Sequence, residues 1–537
     1  MKIKILLTFI ILLAIFLRIF QLGKNPPALY WDEASLGYNA YTIATSLHDE
    51  HGEFLPLSRF IAFGDYKPPG YIYASVPSVL LFGLNEFSIR FPSMIAGVLI
   101  VLLTYLLTKE LFKNNTIALL SGLFLALSPW ALQFSRAAFE ANLAACFNLL
   151  GIYLFIISVK KKWAILPSVV FFIFSFYTFN ANRIIAPLIF FGLSILYWKS
   201  LLENKKWVLI SLVITMMMIL PSVKYLVDRE SRLRFDEVSI FNNLETIKLS
   251  NQRINTDKNS WVSSIIHNRR VLYTVDFLKH YFDNFSGRFL FTSGDVNPRL
   301  SIQEMGQLYI WDLPILLIGI YWLVRERKKA SLVLTLWMLI VPIPAATARE
   351  TPHALRILSI LPTFQIIMAY GLYQIITWIK GKFALYFRYI LLFVLCSLLS
   401  INFYYYLHNY YVHYPIKWGS SWQYGYKEMV SDVLNIQDNY DHVYITDALG
   451  RPYIYFAFYG KYQEDEFQRL RSADRDWFGF WTVSALGKIR FGLERLPATL
   501  GRILLVVTPG NLPDGYHVKS IIKDLSGREV FLIAEKL

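Results

Sequence analysis

Two adjacent carboxylates, Asp32 and Glu33, follow an apolar segment of about the length that crosses a bilayer. The prolines and aromatic residues of the stretch 26–31, directly before the pair, hold it stiffly at the membrane edge. A carboxylate in that position reaches lipid headgroups and water, and it is suited to act as a general base. The alternative is that both acids cap a helix predicted from Ala34 to Leu47.

A cation follows at Lys67, within the segment from Tyr66 to Gly70. Two prolines come directly after Lys67 and fix the backbone, so the ammonium group points in a defined direction. Such a cation is suited to bind a lipid phosphate. The other interpretation is a snorkelling lysine, which buries its hydrocarbon stem in the membrane, places its ammonium group at the interface and binds no ligand.

Further polar residues lie near the ends of later apolar segments or in the loop before one of them. We predict that three of these residues bind a donor phosphate: Arg136, His353 and Arg356. We predict that seven of them contact substrate: Glu140, Asn142, Asn182, Arg183, Asp295, Asn297 and Arg299. The spacing of His353 and Arg356 puts both on one face of a helix, as a phosphate clamp requires.

Each of these groups has a structural alternative. The spacing of Arg136 and Glu140 by itself permits an ordinary ion pair on a helix. Polar groups at the end of a transmembrane helix usually face a cavity, which favours the functional interpretation. Turn chemistry is the alternative for Asp295, Asn297 and Arg299, because Asp, Asn and Pro are common in turns.

The segment from His48 to Glu53 carries metal-ligand side chains, but it completes no metal motif, and a polar loop looks the same. The two cysteines, Cys146 and Cys396, lie inside apolar runs, so neither a disulfide framework nor a thiolate metal site is indicated. We assign no metal ligand and no cofactor, and a divalent metal ion stays an open alternative. The chain has no Walker A or Gly-rich dinucleotide motif, which argues against a soluble nucleotide-linked donor.

The elements that position these residues are predicted to be membrane helices. The chain has 537 residues, of which 55% are hydrophobic, and a formal net charge of +15. Its basic residues collect in short loops between apolar runs, a pattern of membrane orientation rather than of nucleic-acid binding. We predict a polytopic α-helical membrane protein with about eleven spans: Ile5 to Phe20, Phe91 to Phe112, Thr116 to Phe134, Asn142 to Val159, Trp163 to Phe179, Arg183 to Trp198, Trp207 to Lys224, Leu308 to Val324, Ala330 to Ala348, Arg356 to Ile379 and Arg388 to Leu407.

A shorter apolar segment, Tyr71 to Leu84, contains Pro77 and is predicted to be an interfacial or re-entrant helix. With this assignment the basic clusters between spans all face the cytoplasm. The amino terminus is then cytoplasmic, and Met1 to Phe20 is a retained signal anchor because it has no cleavage site. The loops 21–90 and 227–307 and the region after Leu407 then lie on the extracytoplasmic side of the plasma membrane.

Regular structure is also predicted outside the spans. The segment from His267 to Phe285 has the apolar face of a helix that lies along the membrane surface. After Leu407 the pattern predicts one helix and four strands: Tyr426 to Asn435, His442 to Thr446, Ile503 to Val507, Val518 to Ile522 and Val530 to Ala534. We therefore predict a transmembrane catalytic domain over residues 1–407 and a small extracytoplasmic α/β domain over residues 408–537.

The order of several short motifs resembles that of a known group. The chain resembles the GT-C glycosyltransferases in three motifs. These are Asp32-Glu33 after the first span, then Lys67-Pro68, then the segment from Asn85 to Pro92, which leads into a helix. The branch of the protein O-mannosyltransferases and aminoarabinose transferases (glycosyltransferase family 39) is the most similar. The likeness covers roughly the first 160 residues well and the later helices by layout.

This resemblance implies the GT-C membrane fold, a polyprenyl-phosphate-linked sugar as donor, an extracytoplasmic active site and inversion at the anomeric carbon. It implies that Asp32 is the general base, that Glu33 shapes the same site, and that Lys67 holds the phosphate leaving group. Glu140 stands where relatives often place an acid, although its local sequence departs from an Asp-centred version. The resemblance implies nothing about the C-terminal domain.

Three classes of function are therefore compared. A glycosyltransferase would have as partners a polyprenyl-linked sugar, membrane lipid, and a glycan, lipid or protein acceptor. A lipid-linked saccharide transporter or flippase would need ionisable residues along the middle of its helices, whereas in this chain they gather at the ends. A non-catalytic envelope protein would not need eleven helices as an anchor. We expect a glycosyltransferase, with the transporter as the alternative.

Overall fold

The computed structural model describes residues 1–63, 65–228, 230–382, 384–476, 479–494 and 501–536. Leu537, the last residue of the predicted C-terminal domain, lies outside the described residues. The described chain is mostly α-helical, with strands in two places. Helices and strands are numbered in chain order.

The helices before residue 230 are α1 (Lys2–Ile19), α2 (Trp31–Ser46), α3 (Gly70–Phe82), α4 (Glu86–Phe112), α5 (Asn115–Leu127), α6 (Pro129–Ser135), α7 (Glu140–Ser158), α8 (Ile165–Phe176), α9 (Asn182–Leu196), α10 (Trp198–Leu202) and α11 (Lys205–Val227). The later helices are α12 (Glu230–Val238), α13 (Leu244–Thr256), α14 (Trp261–Ile266), α15 (Arg269–Asp283), α16 (Asp312–Glu326), α17 (Lys329–Ile340), α18 (Pro342–Ala346), α19 (Thr363–Lys382), α20 (Leu385–His408), α21 (Tyr414–Trp418), α22 (Tyr426–Ile436), α23 (Pro452–Gly460) and α24 (Glu464–Leu470). The strands are β1 (Phe60–Ala62), β2 (Asp65–Lys67), β3 (His442–Ile445), β4 (Arg471–Arg475), β5 (Trp481–Leu486), β6 (Ile489–Phe491), β7 (Ile503–Val507), β8 (His517–Lys523) and β9 (Glu529–Lys536).

The part of the chain that the structure describes contains six helices that are long and apolar enough to cross a membrane. The bent pair α5 and α6, with 58° between its halves, raises this number to seven if the pair is one span. Other segments predicted as spans form shorter helices, such as α8, α9 and α16, or carry three basic residues, as α1 does. The chain is therefore a multi-pass membrane protein, and the predicted number of eleven spans is not confirmed. The helix α3 contains Pro77 and is only 13 residues long, and its assignment as an interfacial or re-entrant helix stays a prediction.

The chain forms two compact units, and the first comprises residues 1–16, 96–134 and 141–406. It is a bundle of apolar helices in which α16 packs along α19, and α19 packs along α5. Two glycines bring α16 and α19 together: a Cβ on Gly319 would lie 2.1 Å from the Ile367 carbonyl oxygen, and one on Gly371 would lie 2.3 Å from the Ile315 carbonyl oxygen. Small residues at a crossing let helix backbones approach closely, which is how helices associate in lipid.

The second unit comprises residues 17–95, 135–140 and 407–537. Its central element is a seven-stranded sheet in the order β4-β5-β6-β3-β7-β9-β8, in which β3 runs parallel to both β6 and β7. Helix α2 packs against α3 and α23, and α22 packs against α23. The strands β1 and β2 form a separate antiparallel hairpin in which Phe60 pairs with Lys67. This unit therefore contains the predicted acidic pair, the predicted cation and the α/β region together.

The strands and the helix predicted after residue 407 are present as β3, β7, β8, β9 and α22. The helix predicted from His267 to Phe285 is present as α15, and its location along the membrane surface stays a prediction. The sequence did not reveal β4, β5 and β6, because β4 is polar along most of its length and β6 has only three residues. The boundary at residue 407 stays a prediction. In the structure, residues 17–95 belong to the same compact unit as the chain after Tyr406.

Candidate active site

Helix α2 begins at Trp31, so Asp32 and Glu33 lie inside its first turn rather than in front of it. Tyr30, the residue before the helix, gives no side-chain hydrogen bond to the first backbone N–H groups. The helix dipole favours acids in a first turn, so this location alone would suit a purely structural pair. The surroundings separate the two acids, because the Glu33 side chain is 0% exposed and the Asp32 side chain is 25% exposed.

Glu33 forms a buried ion pair with Arg90 of α4. Arg90 donates from Nε to Oε1 and from Nη2 to Oε2, each at 3.0 Å, and the Ala138 backbone N–H donates to Oε1 at 2.7 Å. The guanidinium also donates to three backbone carbonyls of the segment 22–28. A buried ion pair is tolerated only when its remaining polar atoms are bonded, as they are in this pair. Glu33 therefore anchors the start of α2 to α4 and to the segment before α2.

Asp32 faces a different cation, Lys67, at the end of the β1-β2 hairpin. Lys67 Nζ lies 2.9 Å from Asp32 Oδ1, and the lysine side chain is 10% exposed. The hairpin fixes the backbone of Lys67 on one side, and Pro68 and Pro69 fix it on the other, directly before α3. Asp32 is thus the acid of the pair that water reaches, and a cation stands directly beside it.

The first turn of α2 is also tied to the C-terminal region through Gln423. Its Oε1 accepts the Trp31 backbone N–H at 2.8 Å and the Tyr455 hydroxyl, while its Nε2 donates to the Leu449 carbonyl at 2.9 Å. The first N–H groups of a helix need acceptors from outside the helix. The Gln423 amide supplies one that Tyr30 does not, and it places this end of the helix relative to the loop after β3.

That loop contacts the residue next to Asp32. Gly450 packs against the Trp31 indole so closely that a Cβ on it would lie 2.4 Å from the ring atom Cζ3, and its φ is +124°. A residue with a side chain meets both a steric and a conformational penalty there. The loop leaves β3 at its carboxyl end, within the parallel part of the mixed sheet, and ligands commonly bind beyond the carboxyl ends of parallel strands.

Arg136 has a structural role in this fold. Its side chain is 1% exposed, and its five N–H groups are all engaged. The acceptors are the Tyr410 hydroxyl and the backbone carbonyls of Leu17, Arg18, Phe20 and Asn25. The guanidinium therefore holds the backbone at the end of α1 and in the segment after it. Its donors are used in these bonds, so we no longer assign it as a phosphate ligand. Arg136 and Glu140 also do not share a helix, since α6 ends at Ser135 and α7 begins at Glu140.

The loop from His48 to Glu53 is likewise held by hydrogen bonds within the second unit. Asp49 Oδ1 accepts two backbone N–H groups of the loop, both at 2.8 Å, and the Glu50 carbonyl accepts bonds from Gln468 and Arg471. Burial raises the pKa of Asp49 to about 6. Among the residues that the structure describes, no three His, Cys, Asp or Glu side chains are grouped so as to hold a metal ion.

Asp295, Asn297 and Arg299 form a turn within the first unit. The Asn297 backbone N–H donates to Asp295 Oδ1 at 2.8 Å, and the Arg299 backbone N–H donates to Asn297 Oδ1 at 3.1 Å. The second oxygen of Asp295 accepts the Ala354 backbone N–H at 2.7 Å, and burial raises the pKa of Asp295 to about 6. Turn chemistry, the alternative for these residues, accounts for the contacts seen, and their contact with substrate stays a prediction.

His353 and Arg356 lie in a turn and not on an α-helix, so the expected shared helical face is absent from this segment. The His353 backbone N–H donates to Asn284 Oδ1 at 3.1 Å, and the Arg356 guanidinium donates to the Glu350 carbonyl at 3.1 Å. Their role as phosphate ligands stays a prediction that no helical spacing supports.

The remaining predicted substrate residues are mostly buried. Asn182 donates from Nδ2 to Ser175 Oγ at 2.6 Å and to Ser359 Oγ at 3.0 Å, which makes it part of a polar contact inside the first unit. Glu140 and Asn142, in the first turn of α7, are 6% and 2% exposed. Glu140 belongs to the second unit and Asn142 to the first. Contacts of these residues with substrate stay predictions, as does that of Arg183.

The sequence did not reveal two residues of the site. Arg90 lies within the motif from Asn85 to Pro92, and an arginine in the first turns of an apolar helix is a signal that could have identified it. Gln423 has no comparable signal, because an amide 392 residues away from Trp31 shows nothing about its partner until the chain is folded.

Comparison with sequences of known proteins gives matches to the N-terminal part of the chain. Residues 5–227 match the family model described as "Dolichyl-phosphate-mannose-protein mannosyltransferase". A curated relative, "Putative mannosyltransferase YkcB" from Bacillus subtilis (strain 168), is 29% identical over 175 residues. This match covers 32% of the present chain and 23% of the relative, so the chain spans less than a quarter of that protein.

Solved structures with the same fold cover more of the chain. ArnT from Cupriavidus metallidurans matches in its apo state with a TM-score of 0.55 and 12% identity, over 99% of this chain and 98% of that one. The same protein bound to undecaprenyl phosphate matches with a TM-score of 0.55, 11% identity and the same coverage. The oligosaccharyltransferase AglB from Archaeoglobus fulgidus, in complex with an inhibitory peptide and a dolichol-phosphate, matches with a TM-score of 0.51 and 14% identity, over 85% of this chain and 63% of that one.

Proposed function

This chain has the fold of the GT-C glycosyltransferases, and we propose that it transfers a sugar from a polyprenyl-phosphate-linked donor to an acceptor, with inversion at the anomeric carbon. The observation that carries the proposal is the contrast between two neighbouring carboxylates. Asp32 is accessible and lies 2.9 Å from the Lys67 ammonium, while the second carboxylate is buried in an ion pair with Arg90. The accessible acid can thereby serve chemistry, and the cation beside it can serve an anion.

In this mechanism Asp32 takes the proton from the acceptor hydroxyl as the oxygen attacks the anomeric carbon. The bond between that carbon and the phosphate oxygen breaks on the opposite face of the sugar, and Lys67 stabilises the charge that develops on the phosphate. Glu33 and Arg90 take no part in the bond changes. They position the first turn of α2, and with it Asp32.

The ion pair between Asp32 and Lys67 couples donor binding to catalysis. As long as Lys67 neutralises the Asp32 carboxylate, that carboxylate is a weak proton acceptor. A donor phosphate competes for the ammonium group, and the carboxylate gains affinity for a proton when its cation turns away. The base is thus activated when the donor phosphate is bound.

A lipid-linked donor is supported by two observations. The chain is a multi-pass membrane protein, in which a polyprenyl chain gives the donor its affinity for the site. The matching structures of ArnT and AglB were solved with undecaprenyl phosphate and with a dolichol-phosphate. We place the site on the extracytoplasmic side, because the basic clusters between the spans then face the cytoplasm. The acceptor is a glycan, lipid or protein on that side.

Mass spectrometry of glycans and glycolipids from cells with and without this protein tests the proposal. We expect a product with one additional sugar only in cells that contain the active chain. The Asp32→Asn variant should lose about two to four orders of magnitude of transfer, because it removes the general base. The Lys67→Ala variant should bind polyprenyl phosphate more weakly, because it removes the phosphate cation.

Matched controls are Asp438→Asn and Lys488→Ala, which remove an exposed ion pair in the same compact unit. Both controls should keep wild-type transfer. An Asp32→Asn variant with unchanged product would place the base elsewhere. A chain that moves labelled donor across vesicles without forming product would support the transporter.

A further inference from the structure

An apolar groove of about 270 Å³ lies between α8, α9 and α11, within the first unit. Its walls include Val169, Phe172, Ala186, Phe190 and Leu212. The groove is not quite twice as large as a cavity that holds benzene, so it accommodates one hydrocarbon chain segment. It is lined along α8 from Ile165 to Phe176, a length of about 16 Å at the helical rise, and this is about the hydrocarbon thickness of one membrane leaflet.

The few polar side chains in the walls do not face the groove with free donors. The hydroxyls of Ser194, Ser211 and Thr215 each donate to the carbonyl four residues earlier in their own helix, at 2.7 to 2.8 Å. A ligand in the groove therefore meets almost entirely hydrocarbon. Only 11% of the most apolar part of α11 is buried inside the protein, so this side of the groove faces the surrounding lipid.

Arg183 lies beside one end of the groove. Its guanidinium carbon is 5.8 Å from the ring centre of Phe176, a wall residue, and 5.2 Å from the ring centre of Tyr225. Its Nε is buried, and no described residue accepts a hydrogen bond from it. Buried donors of a charged group normally bind an acceptor, so an anion is expected beside Arg183.

We propose that this groove binds one glycerophospholipid, whose phosphate pairs with Arg183 and whose acyl chain fills the space between α8, α9 and α11. A cation at the end of a hydrocarbon groove matches a molecule with an anionic head and an apolar tail. The smooth apolar walls offer nothing that selects an isoprenoid chain over an acyl chain. The most abundant phosphate-bearing lipid of the membrane then occupies the groove by mass action. Neither Asp32 nor Lys67 lines the groove, so the inference does not depend on sugar transfer. It assigns Arg183 to a lipid phosphate in place of the predicted contact with substrate.

Lipid analysis of the full-length protein purified in detergent tests this site. Wild type should retain about one glycerophospholipid per chain, measured by native mass spectrometry and by extraction. Arg183→Gln should retain at least about tenfold less, because it removes the charge that pairs with the phosphate. Arg183→Lys should restore most of the retention. Ala186→Phe, which fills the groove with a large side chain, should also lower it.

The matched control is Lys224→Gln, which removes an exposed cation from the last turn of α11 without touching the groove. This control should retain lipid as wild type does. Monodispersity in size-exclusion chromatography checks that each variant is folded, and Arg183→Gln carries the test if Ala186→Phe is not folded. Equal retention in wild type and Arg183→Gln would overturn the proposal.

Adding defined ligands to delipidated protein separates the sources of the phosphate. Mixed micelles with palmitoyl-oleoyl phosphatidylglycerol should raise the thermal unfolding temperature of wild type by several degrees, and should do so less for Arg183→Gln. Stabilisation by inorganic phosphate alone would show an anion site without a lipid. Polyprenyl phosphate as the retained lipid would show that the groove belongs to the donor. Either result would contradict the proposal.

Discussion

Asp32 and Glu33 are neighbours in the chain, but their carboxylates have different environments. Successive residues of a helix point about 100° apart, so two adjacent acids in a first turn face different neighbours. Glu33 points to Arg90 and is fully buried, while Asp32 points to Lys67 and remains partly exposed. Glu33 therefore holds the helix in place, and Asp32 is the acid of the pair that water reaches.

We predict that Glu33→Gln destabilises the protein far more than Asp32→Asn does. Glu33→Gln leaves the buried Arg90 without its counter-charge, which typically costs about 3 to 5 kcal/mol. Asp32→Asn breaks a partly exposed pair, which typically costs about 1 kcal/mol or less. Thermal unfolding in detergent micelles measures both effects. Equal destabilisation by the two variants would contradict the assignment of Glu33 as the structural acid.

Asp49 predicts a pH effect on stability. Burial raises its pKa to about 6 in the folded protein, above the value near 4 in an unfolded chain. The folded state therefore holds the proton more tightly, and the free energy of unfolding should fall by about 2 kcal/mol as pH rises from about 4 to about 6.

Asp49→Asn should remove this loss, because the amide oxygen can accept the same two backbone N–H groups without carrying a charge. The variant should unfold at a higher temperature than wild type at pH 7.5, and this gain should disappear at pH 4.5. Unfolding scans at both pH values measure the difference. A gain of the same size at both would mean that the charge of Asp49 is not responsible.

At the scale of elements, α2 is held by parts of the chain that are distant in sequence. Its first turn is bonded to Gln423, its second acid is bonded to Arg90 of α4, and its body packs against α3 and α23. The helix has no side-chain cap of its own at Tyr30. The direction of Asp32 therefore depends on the C-terminal residues, and we infer that they form part of the catalytic unit.

Changes at Gln423 should alter catalysis without weakening donor binding. Gln423→Glu keeps an acceptor for the Trp31 N–H, loses the bond to the Leu449 carbonyl, and places a negative charge against the backbone of the residue before Asp32. That charge should raise the pKa of Asp32, so the acid limb of the rate profile should move to higher pH by about one unit. Gln423→Ala should lower kcat with little change in KM. The control is Gln437→Glu, which makes the same change of charge on a separate helical turn. It should leave the pH profile unchanged. A shifted profile in this control would mean that any added charge has the effect.

At the scale of the whole molecule, the division into units does not follow the division by hydropathy. The first unit is the helix bundle, while the second combines residues 17–95 and 135–140 with residues 407–537. Asp32, Glu33, Lys67 and Arg90 all lie in the second unit. The polar α/β region therefore shares a compact unit with the predicted acid and cation. It is not a separate compact unit attached to a membrane domain.

A chain that ends after His408 should therefore lose sugar transfer even where it still inserts into the membrane. The truncation removes Gln423, Tyr455 and the loop that packs on Trp31, which leaves the start of α2 without its neighbours. Product analysis in cells, with membrane fractionation to confirm insertion, measures the outcome. Asp32→Asn in the full chain gives the baseline. Transfer by the truncated chain would show that the bundle alone is sufficient.

The sequence by itself determined the class of protein, the resemblance to the GT-C glycosyltransferases, which is confirmed, and the strands β3, β7, β8 and β9. These depend on local hydropathy, alternation and short motifs, which can be read without knowing the path of the chain. Only the tertiary structure decided that Arg136 is a structural residue, that Arg90 neutralises Glu33, and that Gln423 holds α2. Such roles depend on which polar atoms meet across 57 to 392 residues of chain, and no local pattern encodes a partner that far away.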